Sequence, residues 1–439
     1  MGSLWEEGIR ITRFPQLEGD TDTDVLIIGG GMAGVLTAFM LKSSGIDYVL
    51  CEAEVLGNGI TKNTTAKLTS QHGLLYDKLI NEFGKKKAGL YLNANEDALD
   101  EYRRLCARID CDFEEKDNYI YTLGSDKKIE KELATLRILG FPAERADNLP
   151  LPFKVAGAVR FPHQGQFHPL KFLSGISADL NIREHTRVRE LKKTNTGITA
   201  VTGCGRIRAK RVIVATHFPF INKHGAYFVK MYQHRSYVIA IENAPDLDGM
   251  YLDDNENGLS FRNHKGFLLI GGGSHRTGKK GGCYNELEAF AKKYFKNASI
   301  KYSWAAQDCI TLDSAPYIGR YSSRTEGLYV ATGFNKWGMT GSMVSAKLLT
   351  DLMLGNKNPY EELFSPTRTI LRPTLLSNVF ESAVGLLTPK APRCPHLGCA
   401  LNWNSAEHTW DCPCHGSRFT ESGELIDNPA TGDLKGVQK

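Results

Sequence analysis

Residues 25–28 (VLII) form an unbroken apolar run, the pattern of a strand covered on both faces. Beyond a glycine-rich turn, residues 35–41 continue as an apolar stretch of helical character, and residues 48–51 return to a second short apolar run. Strand, helix and strand in that order predict a parallel βαβ unit. Much later, residues 211–215 and 327–331 read as further short strands, and residues 338–354 as a helix. Between these pieces the pattern changes. Residues 126–140 (DKKIEKELATLRILG) are rich in helix formers, whereas 237–241 (YVIAI) and 267–273 (FLLIGGG) alternate in strand fashion. After Gly355, residues 356–370 read as a surface linker, residues 371–390 include a helix, and the rest is short, polar and rich in cysteine and histidine.

With 439 residues the chain exceeds one ordinary core and suits two or three folding units. The hydrophobic fraction of 41% and charged fraction of 23% are those of a soluble globular protein, and no run is apolar enough to predict a transmembrane segment. The net charge of +5 is scattered apart from short clusters at 85–87 and 279–280, with no basic face interleaved with aromatics, so no nucleic-acid partner is expected. Residues 1–24 lack a basic stretch leading into an apolar one, the form of a secretory leader, and a cytoplasmic location is expected.

Gly29, Gly31 and Gly34 match G-x-G-x-x-G between the first strand and helix. The spacing has a mechanical basis: a tight turn at Gly29, close approach of backbone to a pyrophosphate at Gly31, and close helix–sheet packing at Gly34. The anion then sits over the helix N-terminus. Glu52 ends the second strand, where a carboxylate accepts hydrogen bonds from the adenosine ribose. The unit alone does not distinguish NAD from FAD.

Three further stretches, GNGITKNTTAKLTSQHG (57–73), KRVIVATHFP (210–219) and the segment 314–355 containing SAPYIGRY and GFNKWGMTG, together with the fingerprint, resemble the FAD-dependent D-amino-acid-oxidase-like superfamily, which includes glycine and sarcosine oxidases. The resemblance implies an α/β fold: a Rossmann-like FAD-binding domain assembled from residues 1–74, 150–219 and 304–355, with an inserted α+β substrate domain at 75–149 and 220–303. It implies that Thr64 and Thr65 approach the flavin, although a threonine pair is also an ordinary helix cap. It places Gly333, Trp337, Gly338, Met339 and Thr340 near the isoalloxazine ring.

In the substrate half, Tyr232, His234, Arg235 and Tyr237 lie on one candidate strand, whose alternation puts Tyr232 and His234 on one face and Arg235 and Tyr237 on the other. Tyr232, Arg235, His275 and Trp337 are the candidates for substrate contact and catalysis. Gln166, His168, Arg262, Gly273 and Arg276 sit in stretches that are also similar to the superfamily. Lys336 and Trp337 stand where many amine oxidases of the superfamily carry Gly-His, a departure that bears on which substrate is used.

Residues 356–388 then form a linker and helix, and 389–439 a small all-β module. Cys394-x-His396 and Cys412-x-x-His415 offer two thiolates and two imidazoles. Such a set suits tetrahedral zinc as well as a [2Fe-2S] centre with mixed ligation. CPHLGC and CPCHGSRF, with Gly398, Pro413, Gly416 and Ser417, resemble both cluster-binding loops of the Rieske family. The resemblance implies Cys394, His396, Cys412 and His415 as cluster ligands and a disulfide between Cys399 and Cys414, as in the bridged branch of that family. Ser417 is placed to donate a hydrogen bond that tunes the potential, which spans roughly −150 to +300 mV across such centres. Few strands precede the first ligand loop, so the module is expected to be abbreviated.

Together the two halves imply an oxidoreductase holding FAD and a [2Fe-2S] cluster. It would oxidise a small amine or amino acid and pass electrons to a one-electron carrier protein or a quinone-like acceptor. An oxygen-using oxidase with a structural cluster, and a non-catalytic redox sensor, are the alternatives.

Overall fold

The computed structural model describes residues 2–221, 224–369, 373–389 and 392–435. Its first sheet is built around Thr21–Ile28, flanked in parallel by Tyr48–Cys51 and Arg206–Val214. Leu328–Thr332 and Ile182–Arg183 extend it in parallel on either side, and Tyr317–Arg320 closes one edge antiparallel. Val25 to Ile28 are all buried, as a strand covered on both faces requires. The Met32–Ser43 and Gly338–Leu354 helices pack against each other, and both are buried round most of their circumference. Both are correspondingly apolar, and each fully buried Leu or Val contributes about 1.5–3 kcal/mol.

The second sheet has nine strands. Its long core is Met231–Glu242 between Phe267–Arg276 and Ser299–Thr311, all antiparallel. Gly157–Gln166 and Glu114–Thr122 belong to the same sheet, as does the short Lys67–Leu68. Its strand Gly157–Gln166 and most of Ser299–Thr311 come from segments that the resemblance assigns to the FAD-binding half. Strand pairing between distant segments decides this, and local sequence does not carry it.

Residues 356–369 differ from a loose linker. Glu361–Phe364 is a helical turn, and Arg368 is clamped by two charge-assisted bonds to Asp313 (2.6 and 2.7 Å) and one to the Pro316 carbonyl (2.8 Å). Its guanidinium also lies over the Tyr317 ring at 3.9 Å. The segment is thereby fixed to the first sheet. The Pro373–Leu387 helix follows, and a sheet of four short antiparallel strands ends the fold: Asn402–Asn404, Thr409–Asp411, Arg418–Thr420 and Leu425–Asp427.

Candidate active site and iron-sulfur centre

The glycines of the first turn behave as their spacing demands. Gly29 has φ +114°, and a Cβ there would lie 2.5 Å from the Ala215 carbonyl oxygen. At Gly34 a Cβ would lie 1.9 Å from the oxygen of Gly29, so the helix can pack this close only without a side chain. Gly31 is the N-cap of the Met32–Ser43 helix and has no side chain to cover the helix start, whose first amide is held by Thr61 and whose dipole favours an anion. Glu52 accepts hydrogen bonds from the amides of Gly30 (2.6 Å) and Glu54 (2.9 Å), and burial pushes its carboxyl up.

Gly29, Gly31 and Glu52 line one cavity of about 600 Å³ that runs on past Gly57 to Gly338 and Met339. A helix start, an acid at the second strand end and a long cavity between the two sheets fit an extended dinucleotide. Sequence reasoning missed several contributors to this cavity. The Thr61 hydroxyl takes the first helical amide, that of Met32, at 3.0 Å, and Asp308, His217 and Ser342 join the lining. Thr61, His217 and Ser342 lie within the stretches already singled out; Asp308 carries no local signal.

Other expected flavin contacts are placed differently. Gly333 has φ +73°, and a Cβ there would lie 2.4 Å from Thr311 Cγ2, so its role is a tight turn. Trp337 stacks on His72, centroids 4.7 Å apart at 13°, and the Thr340 hydroxyl lies 3.1 Å from His72 Nε2. Both are outside the cavity lining, as are Thr64 and Thr65. The Thr64 hydroxyl accepts from the amide of Ala66, and the Thr65 carbonyl accepts from buried Arg262.

The strand alternation at 231–242 is as expected, but its two faces do different work. Tyr232 lies under the Arg276 guanidinium (4.7 Å), and both line a second cavity of about 570 Å³ with His234 and His275. Burial pushes the Tyr232 phenol up to about 12 and the His234 imidazole down to about 2. His275 Nε2 is 3.0 Å from the Tyr237 hydroxyl. On the opposite face Arg235, only 3% exposed, forms a two-point ion pair with Glu407 of the C-terminal module. Gln166 donates to the Asn263 carbonyl, and His168 caps the Pro169–Ser177 helix.

The two loops of the C-terminal module share one shape. In residues 394–399 the Cys394 amide donates to the Cys399 carbonyl and Gly398 to Cys394; in residues 412–417 Cys412 donates to Ser417 and Gly416 to Cys412, all at 2.9 Å. Gly398 (φ +80°) and Gly416 (φ +85°) supply the left-handed turn in each. The rings of His396 and His415 meet edge-on at 4.9 Å, and burial pushes them down to about 3 and about 4, which keeps both neutral. Both ring nitrogens of His415 are buried without a hydrogen-bond partner among the described residues. A neutral imidazole with an orphaned nitrogen is what a metal ligand requires. The Ser417 hydroxyl accepts from the Ala430 amide at 3.0 Å. The sulfurs of Cys399, Cys412 and Cys414 lie within 4.8 Å of one another.

The module is docked on the second sheet. Gln233 donates to the His415 carbonyl (2.7 Å), Gln307 to that of Gly416 (2.9 Å), and Arg276 to that of Pro413 (3.0 Å). Asn428 donates to the carbonyls of Thr216 (2.8 Å) and Phe218 (2.7 Å) in the first half. Asp427, Asn428, Ala430 and Thr431 form part of the wall of the dinucleotide cavity itself.

Fold and site thus define a flavin-dependent oxidoreductase with a built-in iron-sulfur module. Residues 24–352 match the FAD dependent oxidoreductase family and residues 379–438 the Rieske [2Fe-2S] domain, and the chain belongs to the first family and carries the second domain at its C-terminus. It is 35% identical to the Rieske 2Fe-2S iron-sulfur protein YhfW of Bacillus subtilis, over 99% of this chain and 97% of that one. It is 24% identical to gamma-glutamylputrescine oxidoreductase of Escherichia coli, over 79% of this chain and 87% of the relative. In fold it is similar to glycine oxidase from Geobacillus kaustophilus, with TM-score 0.67 and 22% identity over 80% of this chain and 99% of that one. FAD and a [2Fe-2S] cluster are its cofactors. Among the described residues no helix is long and apolar enough to cross a membrane.

Proposed function

We propose that the chain oxidises a small amine or amino acid at the flavin and passes the electrons through the cluster to an external acceptor, a one-electron carrier protein or a quinone-like molecule. The observation that carries this reading is the shared wall: residues 427, 428, 430 and 431 of the iron-sulfur module line the cavity that takes the dinucleotide. Bound there, FAD supplies the two-electron chemistry and the cluster a one-electron exit. The substrate would lose two electrons and two protons to become an imine; the electrons would leave singly through the cluster to two equivalents of a one-electron carrier, or to one quinone, and the protons would pass to solvent or to that quinone.

The chain's own part is to bind, orient and exclude water. Gly31 and the helix start hold the pyrophosphate, and Glu52 holds the ribose. With Arg235 and Arg418 both engaged by Glu407, Asp308 is the acid suited to a substrate ammonium at the flavin end of the cavity. In this reading Tyr232 and His275, which line the second cavity, act on the module boundary and not on the substrate. Cys394, His396, Cys412 and His415 hold the cluster, and a disulfide between Cys399 and Cys414 ties the two loops together, a pairing supported by the proximity of their sulfurs. A cytoplasmic setting is part of the same reading.

Anaerobic titration with a panel of amines and amino acids, followed by absorbance and low-temperature EPR, tests the proposal. Bleaching of the flavin followed by a reduced Rieske signal is the expected outcome. Stoichiometric hydrogen peroxide in air with the cluster never reduced would instead make oxygen the acceptor and overturn the cluster route.

A further inference from the structure

The Pro373–Leu387 helix turns Asn378 and Gly385 inward. Asn378 donates to the Val229 carbonyl at 2.8 Å and accepts from Arg276 at 2.7 Å, and a Cβ at Gly385 would lie 2.5 Å from Cys414 Sγ. The helix is therefore a backing plate for the cluster-binding loops. Its other side is bare: Leu376, Val379, Phe380, Ala383, Val384, Leu386 and Leu387 are all exposed, Leu376 at 74% and Leu387 at 81%. No charge interrupts that arc, because the helix has a single ionisable residue, Glu381, which pairs with Lys279 at 2.6 Å. Leu397, next to ligand His396, is exposed as well. It lies at the same end of the helix, where Ala400 donates to the Gly385 carbonyl at 2.8 Å. Soluble monomers rarely leave so continuous an apolar surface in water.

We propose that this helix lies in the surface of an anionic lipid bilayer with its apolar arc down, as a peripheral anchor. Size and charge favour lipid over protein. The arc with Leu397 offers eight apolar side chains, whereas a stable protein interface takes about 20–30 residues a side. A shallow amphipathic helix needs only such an arc, sunk about 5–10 Å. The 15-residue helix falls short of the roughly 20 residues needed to span, so it lies in the plane. A free cation stands beside the helix. Arg393 spends its donors on the carbonyls of Gly385 (3.4 Å), Leu386 (3.2 Å), Gly398 (3.2 Å) and Thr388 (2.7 Å), which ties the helix end to the first ligand loop. Lys280, exposed and next to the Lys279 that pairs with Glu381, is not paired with a carboxylate among the described residues and is available to lipid phosphates. The arrangement holds whichever way electrons move, so it does not rest on the proposed reaction. It brings the cluster loops to about one helix diameter, some 10 Å, from the bilayer surface.

Flotation of the full-length holoprotein with phosphatidylcholine vesicles, with and without phosphatidylglycerol, tests this. The expected result is co-flotation with the phosphatidylglycerol vesicles, about tenfold less binding for Lys280→Glu, and none for the Leu376→Glu/Phe380→Glu/Leu387→Glu variant, with flavin and cluster absorbance unchanged. The milder Phe380→Ser/Leu387→Ser pair gives the same ordering should the triple variant fail to fold. Three outcomes overturn the proposal: wild type that stays with the aqueous phase in both vesicle types, variants that float as well as wild type, and a wild-type dimer that these substitutions split while lipid is ignored. The last would assign the face to a second copy of the chain.

Discussion

The Arg235 guanidinium and the Glu407 carboxylate face one another across the boundary between the second sheet and the iron-sulfur module, Nε to Oε1 at 3.0 Å, and Glu407 also receives Arg418 at 2.8 Å. Burial works against the charge on Glu407, yet the two arginines hold its carboxyl below the usual range. An arginine expected at the substrate is thus spent on docking. Removing one partner of such a buried pair costs about 3–5 kcal/mol.

Arg235→Met and Glu407→Gln should therefore give the same phenotype: slowed transfer from flavin to cluster in stopped-flow single turnovers, with flavin reduction by substrate little changed. A double-mutant cycle should show strong coupling. An effect of Arg235→Met on substrate KM that Glu407→Gln lacks would return the arginine to the substrate.

At Gly31 an added Cβ meets only the Thr61 hydroxyl, at 3.5 Å, and its φ of −79° suits any residue. Gly31→Val should fold normally but fill the pyrophosphate site. The purified variant is expected to lack FAD while keeping its circular dichroism and a full iron content. Gly34→Val, with its Cβ 1.9 Å from a backbone oxygen, should fail to fold.

Cys412→Ser and His415→Ala should each abolish the Rieske EPR signal and leave the flavin spectrum intact, since neither residue lines the cavity that holds Gly29 and Gly31. Cys399→Ser should retain iron at first and lose it faster on dilution. Mass spectrometry of alkylated wild type should show Cys399 and Cys414 two hydrogen atoms lighter as a linked, unalkylated pair; labelling of both thiols would remove the disulfide from the proposal.

His72 is buried under Trp337, and burial pushes its imidazole down to about 3, against about 6.5 unfolded. The unfolded chain binds the extra proton between those values, so stability is lost as pH falls from about 6.5 toward 3. The loss is about 1.4 kcal/mol per pH unit at most. His72→Gln should flatten that part of the acid limb in denaturant melts. An unchanged slope would mean that other buried histidines, such as His234 or His264, carry it.

Much of this protein is written locally. The run at 25–28, the three glycines and Glu52 determine a strand, a turn and a helix start within thirty residues, because each is a matter of backbone conformation and nearest neighbours. The two cysteine–histidine loops are equally local: Gly398 and Gly416 close them, and their ligands lie within a few residues. What the tertiary structure decided is everything that depends on which distant segment lies opposite. Trp337 and Thr340 sit three residues apart beside the cavity, yet both turn to His72. Arg235, on a strand whose faces were read correctly, points at Glu407, 172 residues away. Alternation fixes which residues share a face, but only long-range packing fixes what that face meets, and the contact between the module and the flavin cavity is made of such pairings.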